Sequence, residues 1–428
     1  MLFYFSVYAF VILLALLAER WPNARIARLS RRDVLWFLAF LVLFAVSALR
    51  FDVGTDYSSR DFYLGYVEVY RVYADGGSMR FGVDPGFLAL IRLVRALGGN
   101  PQLLFVITSA IVCGLVVRAC RRVSCSPALS LALFLVAGLY LESFNIVRQW
   151  IAIACVLNGF AWVGWSGEDG DAHLTQRRSF PRYAAWVAAG AIAHPSALFW
   201  LLLWPLFGIR LNARRALLLV VVFVVAAYLG WNALAVILEG TRYGRYFHDP
   251  TGLYTTSHIR VNAIVTTICS LAFTLWAYRG REGLRGRGEA VHSGGGSATT
   301  SWWGRWASAL TVCQCALLAL LVSEAFLPYI VDRVARYLMP LLVLQLPWAL
   351  REVEHPCLRR ALAVGVCACW LAASTVQFVG GKDDVLPYRS ILTTPRDEVS
   401  ELFDTPPVIP EADRPLTDGE TGARRQVG

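Results

Sequence analysis

Charged side chains are scarce in this sequence. They make up 16% of 428 residues, against 57% hydrophobic, where a soluble domain carries about 25% charged. That shortage excludes a soluble enzyme and a nucleic-acid-binding domain, although the net charge is +10. Lysine is almost missing. Lys382 is the sole one, and every other basic side chain is arginine, which forks onto phosphate through two parallel hydrogen bonds as lysine cannot. Metal-type spacings are missing too. The close cysteine pairs, Cys313/Cys315 and Cys367/Cys369, sit two residues apart inside apolar blocks, so their members face apart on a helix and read as small hydrophobes. No internal repeat is visible. The apolar run Leu2 to Ala18 lacks a basic leading region and a cleavage site; it reads as a retained first span, not a signal peptide.

What remains is a succession of apolar blocks, at 2–18, 34–49, 101–118, 127–142, 144–165, 184–207, 216–238, 261–278, 307–324, 334–350 and 358–379. Many approach the ~20 residues with which a helix crosses a bilayer. The expectation is an all-α polytopic membrane protein with about ten spanning helices. Residues 1–395 form its single transmembrane domain, 279–305 a flexible Gly/Ser/Arg-rich loop, and 396–428 a polar, disordered tail. Arg20, Arg25, Arg28, Arg31 and Arg32 follow the first block and place that loop in the cytoplasm, with the N-terminus outside. Continued alternation works until block 184–207. Crossed once, it would put Arg210, Arg214, Arg215 and the arginines of 279–305 outside. A re-entrant hairpin turning at His194-Pro195-Ser196 restores them to the inside. The outer face then receives 50–100, 142–148, the His194 tip, 239–260, 325–333 and the C-terminus.

Those outer segments hold the candidate chemistry. Arg50, Asp52, Asp56, Arg60 and Asp61 surround Gly54; paired carboxylates can divide acid and base work, or simply cap a span. Asn145, Arg148 and Gln149 share a helix face, and an arginine inside an apolar helix marks a site or a buried pair, unless it snorkels to the interface. His194 stands at the turn; a lone histidine on an apolar face is otherwise a packing residue. Arg242 and Tyr246 lie in an outer loop. Arg333, Arg336 and Tyr337 share a face near the start of a span, where an arginine pair beside tyrosine can clamp a pyrophosphate and stack on a sugar; an interfacial Tyr/Arg belt is the plainer reading. Outward arginines fit an anionic ligand such as a lipid-linked diphosphate.

At these residues the sequence resembles the EpsG family of Wzy-like polysaccharide polymerases. The resemblance is carried, in order, by Arg50-Phe-Asp-Val-Gly54-Thr55-Asp56-Tyr57, Phe144-Asn145-Ile-Val-Arg148-Gln149-Trp-Ile-Ala152, His194-Pro-Ser196-Ala197, Asp332-Arg333 through Tyr337, and Pro387-Tyr388. It covers about residues 1–395; the 279–305 loop and the tail have no counterpart in it. It implies a bacterial inner-membrane glycosyltransferase of the GT-C general type, without metal or other cofactor. Its substrate is oligosaccharide repeats on undecaprenyl diphosphate, joined on the periplasmic face. Implied partners are that lipid-linked substrate, membrane lipids, a chain-length regulator and the export machinery, with no nucleic acid. Under this reading Arg50, Asn145, Arg148, Gln149, Arg242, Tyr246, Arg333, Arg336 and Tyr337 bind the substrate, and Asp52, Asp56 or His194 is the base, with Glu142 a weaker fourth. The alternatives are a flippase or transporter of lipid-linked saccharides, which favours repeats and broken helices in both halves, a non-catalytic export subunit, and a membrane acyltransferase.

Overall fold

The structure is a computed structural model that describes residues 1–21, 25–26, 29–58, 64–79, 82–163, 172–209, 211–238, 260–286, 297–327 and 330–406. Sixteen α-helices run through them: α1 (Leu2–Arg20), α2 (Arg31–Ala48), α3 (Tyr66–Ala74), α4 (Pro85–Ala96), α5 (Pro101–Val123), α6 (Pro127–Val136), α7 (Leu139–Glu142), α8 (Val147–Gly159), α9 (Ala172–Ala193), α10 (Phe199–Leu203), α11 (Ala213–Leu238), α12 (Val261–Gly286), α13 (Ser297–Ser323), α14 (Ile330–Arg351), α15 (Pro356–Val379) and α16 (Arg396–Asp404). Among the described residues the only strand ladder is a two-residue antiparallel pair, β1 (Arg25–Ile26) with β2 (Leu29–Ser30).

Local chemistry starts these helices where the apolar blocks begin. Proline occupies the first turn of α4, α5, α6 and α15, where its missing N–H costs nothing. The Ser30 hydroxyl and the Asn100 side chain accept the N–H groups of Asp33 and Leu103, capping α2 and α5. Among the described residues, four helices are long and apolar enough to cross a membrane: Leu2–Arg20, Pro101–Val123, Ala213–Trp231 and Pro356–Val379. Pro127–Val136, Pro195–Phe207, Ala263–Trp276 and Ser308–Ser323 are shorter apolar helices. α5, α6, α8, α13 and α14 supply most of the core. On α11 and α15, by contrast, Leu217, Leu229, Val364 and Val376 are bare, a surface that hydrocarbon covers at no cost and water does not. The protein is a multi-pass helical membrane protein.

The chain turns back at His194. α9 ends there in extended backbone, a 3-10 turn covers Pro195–Leu198, and the chain returns through α10 and a second 3-10 turn, Trp204–Gly208. The arms are antiparallel. The Tyr183 hydroxyl donates to the Trp200 carbonyl at 2.8 Å, and the Tyr183 and Trp204 rings lie 4.7 Å apart. A reversal at His194 is therefore present, with two departures from the expected pair of half-helices. Its first arm is a full 22-residue helix reaching back to Ala172 through Pro181, and its return arm is mostly 3-10.

Other segments expected to be irregular are folded. Region 50–100 carries α3 and α4. Helices α12 and α13 reach inward to Gly286 and Ser297 from either side of the 279–305 loop. The tail begins with α16, because Phe403 is buried against Phe51, ring centroids 5.9 Å apart, and Arg389 pairs with Glu398. Residues 407–428 lie outside the described residues.

Candidate functional site

The polar segments expected on one face do meet at one end of the bundle, and their first junction is structural. Arg50, at the end of α2, is only 1% exposed. Its guanidinium donates to the Ser47 carbonyl and, at 3.2 Å, to the Phe144 carbonyl, and it lies 4.8 Å from the Phe105 and Phe144 ring centres. Next along the chain, the Gly54 N–H donates to the Asp384 carbonyl and the Thr55 N–H to the Asp383 carbonyl. Asn145 joins the two strips. Its Oδ1 accepts from the Asp56 N–H at 3.1 Å, and its Nδ2 donates to the Asp383 carbonyl at 3.0 Å. Gly54 is required here, since its φ is +107° and a Cβ would stand 2.7 Å from Asn145 Oδ1. Asp56 Oδ2 accepts from the Ile146 N–H, and Asp52 Oδ1 from the Ser58 hydroxyl. Three segments far apart in sequence, 50–57, 144–146 and 383–390, are thereby tied into one platform.

α8 leaves this platform and carries Arg148. One guanidinium nitrogen, Nη1, sits 3.0 Å from Asp84 Oδ2, which is buried at the start of α4, while the arginine itself stays one-third exposed. Gln149, one residue on, is buried and donates to the Arg333 carbonyl. That bond fixes α8 against α14. Around the same helix, the Tyr337 hydroxyl lies 2.9 Å from Ser196 Oγ, which lies 3.2 Å from His194 Nδ1. The histidine of the hairpin tip is thus coupled through a serine to a buried tyrosine.

The adjacent face of α14 carries a denser cluster. Arg336 Nε donates to Asp332 Oδ2 at 2.6 Å, and its Nη1 stands 3.6 Å from Glu142 Oε1. Arg260, just before α12, reaches Asp332 and is bidentate to Glu324, the strong form of an arginine–carboxylate pair. A cavity of about 520 Å³ opens beside this cluster. Glu142, Arg260, Gln377 and Lys382 supply its polar wall, and Met339 and Trp370 are among its apolar ones. Asp383 borders the same charges. Burial, followed by the charge of Glu142, pushes its carboxyl up to about 6.

The structure thus sorts the residues singled out from sequence. Gln149 and Tyr337 tie α8 and the His194 turn to α14, whereas Arg148 pairs with Asp84 at the start of α4. The shared face of Arg333, Arg336 and Tyr337 divides, because Arg336 turns toward Glu142 while Tyr337 turns toward Ser196. Arg50 is enclosed by backbone carbonyls and rings, and Asp56, Asn145 and Gln149 spend their polar groups on other segments. Arg242, Tyr246, Arg60 and Asp61 lie outside the described residues. Sequence reasoning passed over Asp84, Arg260, Glu324 and Asp383 and ranked Glu142 low. Only Lys382, as the sole lysine, carried a signal of its own. No group of three or more potential metal ligands occurs among the described residues.

Fold and cluster together define a multi-pass membrane protein with a charged, partly enclosed site at one end of its bundle. The EpsG family model matches residues 33–390. The chain belongs to the EpsG family, a family of Wzy-like polysaccharide polymerases. No curated protein and no solved structure matches it.

Proposed function

We propose that this protein polymerises undecaprenyl-diphosphate-linked oligosaccharide repeats into exopolysaccharide or O-antigen on the periplasmic face of the bacterial inner membrane. It acts there as a metal-independent glycosyltransferase of the GT-C general type. The observation that carries the reading is the gathering, at one end of the bundle, of Arg336, Arg260 and Glu142 about Asp332 and of His194, through Ser196, against Tyr337 of the same helix, with α8, which carries Arg148, bonded to α14 through Gln149. Family membership sets the reaction class.

In this reading two lipid-linked saccharides meet at that end. The donor presents its sugar–diphosphate bond to Arg148 and Arg333. Arg148 is held by Asp84 at 3.0 Å and is one-third exposed, which makes its charge accessible to an anion. Preorganised cations that meet charge as it develops on the leaving diphosphate lower the barrier with little reorganisation. The other lipid-linked chain supplies the attacking hydroxyl, and an acid–base side chain of the cluster removes its proton. The platform of Asp56, Asn145 and Gly54 holds α8 in register and thereby aims Arg148.

A deletion strain tests this. Lipid-linked saccharides extracted from it should be single repeat units on the carrier, facing outward, with long-chain glycan absent. Loss of surface glycan with repeat units trapped on the inner leaflet would instead identify a flippase.

A further inference from the structure

The polymerase reading leaves the base open, and the chemistry around Glu142 selects one. Glu142 is 6% exposed and lines the 520 Å³ cavity. Its Oε1 accepts no hydrogen bond among the described residues, and its nearest cation there, Arg336 Nη1, stands at 3.6 Å. A buried carboxylate oxygen without a donor is costly, and a ligand hydroxyl is the donor that would satisfy it. The three acceptors named from sequence are placed differently. Asp56 and Asp52 receive the Ile146 N–H and the Ser58 hydroxyl, and His194 Nδ1 sits 3.2 Å from Ser196 Oγ.

The sign of the surrounding charge indicates what enters. Arg260, Arg336 and Lys382 face Glu142, Glu324, Asp332 and Asp383, three cations against four carboxylates. An anionic phosphate gains little from such a balance, whereas a neutral polyol finds both donors and acceptors. Trp370 and Met339 present apolar surface for the less polar face of a sugar ring, and Gln377, bonded to Lys382 at 3.1 Å, adds an amide. A volume near 520 Å³ lies within the ~300–1,000 Å³ of small-ligand pockets.

We propose that Glu142 is the base that accepts the proton of the acceptor hydroxyl, and that the cavity beside it holds the acceptor's terminal sugar. This rests on the polymerase reading. The acceptor oxygen forms its bond to the donor's anomeric carbon as Glu142 takes the hydroxyl proton. The bond from that carbon to the diphosphate oxygen breaks, its electron pair leaves with undecaprenyl diphosphate, and Glu142 then passes the proton to water. Arg336, 3.6 Å from Glu142 Oε1, is a positioning residue that holds the carboxylate at the cavity.

The experiment uses the full-length protein in lipid nanodiscs, with lipid-linked repeat units extracted from the deletion strain as substrate. Glu142→Gln should lower kcat by about 10²–10⁴-fold with KM changed little, and its residual rate should lose the acidic limb of the parent's pH profile. Glu142→Asp should recover part of the rate. Trp370→Ala should chiefly raise KM. Insertion is checked for each variant by size-exclusion profile, and if Glu142→Gln does not insert, Glu142→Asp and Trp370→Ala decide. A Glu142→Gln rate within about tenfold of the parent, an Asp variant and a Trp370→Ala variant both indistinguishable from the parent, or collapse of kcat in His194→Gln alone would overturn the assignment while leaving the polymerase reading standing. Should the parent itself fail to extend chains, the polymerase reading falls, and this assignment with it.

Discussion

Asp56 and Ile146, ninety positions apart, are joined by a 2.8 Å hydrogen bond from the Ile146 N–H to Asp56 Oδ2. Ile146 has a φ of 42°, which a β-branched residue adopts only where its surroundings enforce it. The carboxylate is part of that enforcement, so Asp56 acts on α8 first and on any substrate only through it. Asp56→Ala should destabilise the protein by about 1.5–3 kcal/mol, the range for a hydrogen bond to a charged group. It should lower the thermal midpoint in detergent while the folded fraction keeps most of its chain-extension rate. Collapsed turnover at an unchanged midpoint would return Asp56 to the list of bases.

Arg148 has a sharper signature. Lysine keeps the charge but not the fork, and the Arg148 guanidinium is held by Asp84. Both Arg148→Lys and Arg148→Ala should abolish polymer while the protein still inserts at parental levels. Asp84→Asn, which loosens the arginine without removing it, should weaken lipid-linked substrate binding and leave polymer of reduced amount. Normal polymer from Arg148→Ala would place the diphosphate elsewhere.

The raised carboxyl of Asp383 predicts a pH dependence of stability. Its pKa is higher in the folded protein, about 6, than the ordinary 3.8, because it is buried and next because Glu142 is near, with Asp56 adding to this and Lys382 and Arg336 opposing it. The folded state therefore holds this proton more tightly than the unfolded state. The associated stability is fully present below the ordinary carboxylate range and is lost as pH rises through about 6. Asp383→Asn, compatible with the residue's φ of 63°, removes the ionisation. Above pH 7 the variant should be more stable than the parent by on the order of 1–3 kcal/mol, and the gap should close toward pH 4. Thermal unfolding in detergent across that range reads both, and a gap independent of pH would show that Asp383 does not titrate there.

The arginine distribution sets an expected sidedness. Because the chain reverses at His194, the ends of α12 and α13 near Arg281 and Arg305 lie at the opposite end of the bundle from Asp332 and Lys382. Single cysteines placed beside Asp332 and Lys382 in a cysteine-free background should react with an impermeant thiol reagent from the periplasm. Cysteines beside Arg281 and Arg305 should react only after the membrane is opened. The reverse pattern would place the candidate site in the cytoplasm.

Several features were legible from the chain alone. Long apolar blocks with little charge leave helix as the only economical way to satisfy backbone in hydrocarbon, so the helical class and most helix positions follow from composition and period. The arginine distribution located the reversal at His194, because two Arg-dense loops on either side of block 184–207 cannot otherwise share a face. Arg148 stood out because an arginine in an apolar helix needs a reason. The EpsG resemblance rested on short strings whose order survives in a linear reading.

What composition and order could not supply was partnership. Arg50 and Arg148 look alike in sequence, each an arginine beside an apolar block. Only packing shows that the first is enclosed by the Ser47 and Phe144 carbonyls while the second pairs with Asp84 and stays one-third exposed. Asp56 and Asp383 are both loop carboxylates, but the former accepts the N–H of Ile146, just before α8 and ninety residues away, and the latter is half-buried near Glu142. Whether a polar side chain is spent on structure or left for substrate depends on which backbone groups and charges reach it, and those arrive from segments as much as 381 residues away, as in the Tyr4 hydroxyl that donates to the Val385 carbonyl. Local sequence determines which residues become helix and which apolar faces need cover. The pairing of buried donors with acceptors is settled only when those distant segments are brought to the same end of the bundle.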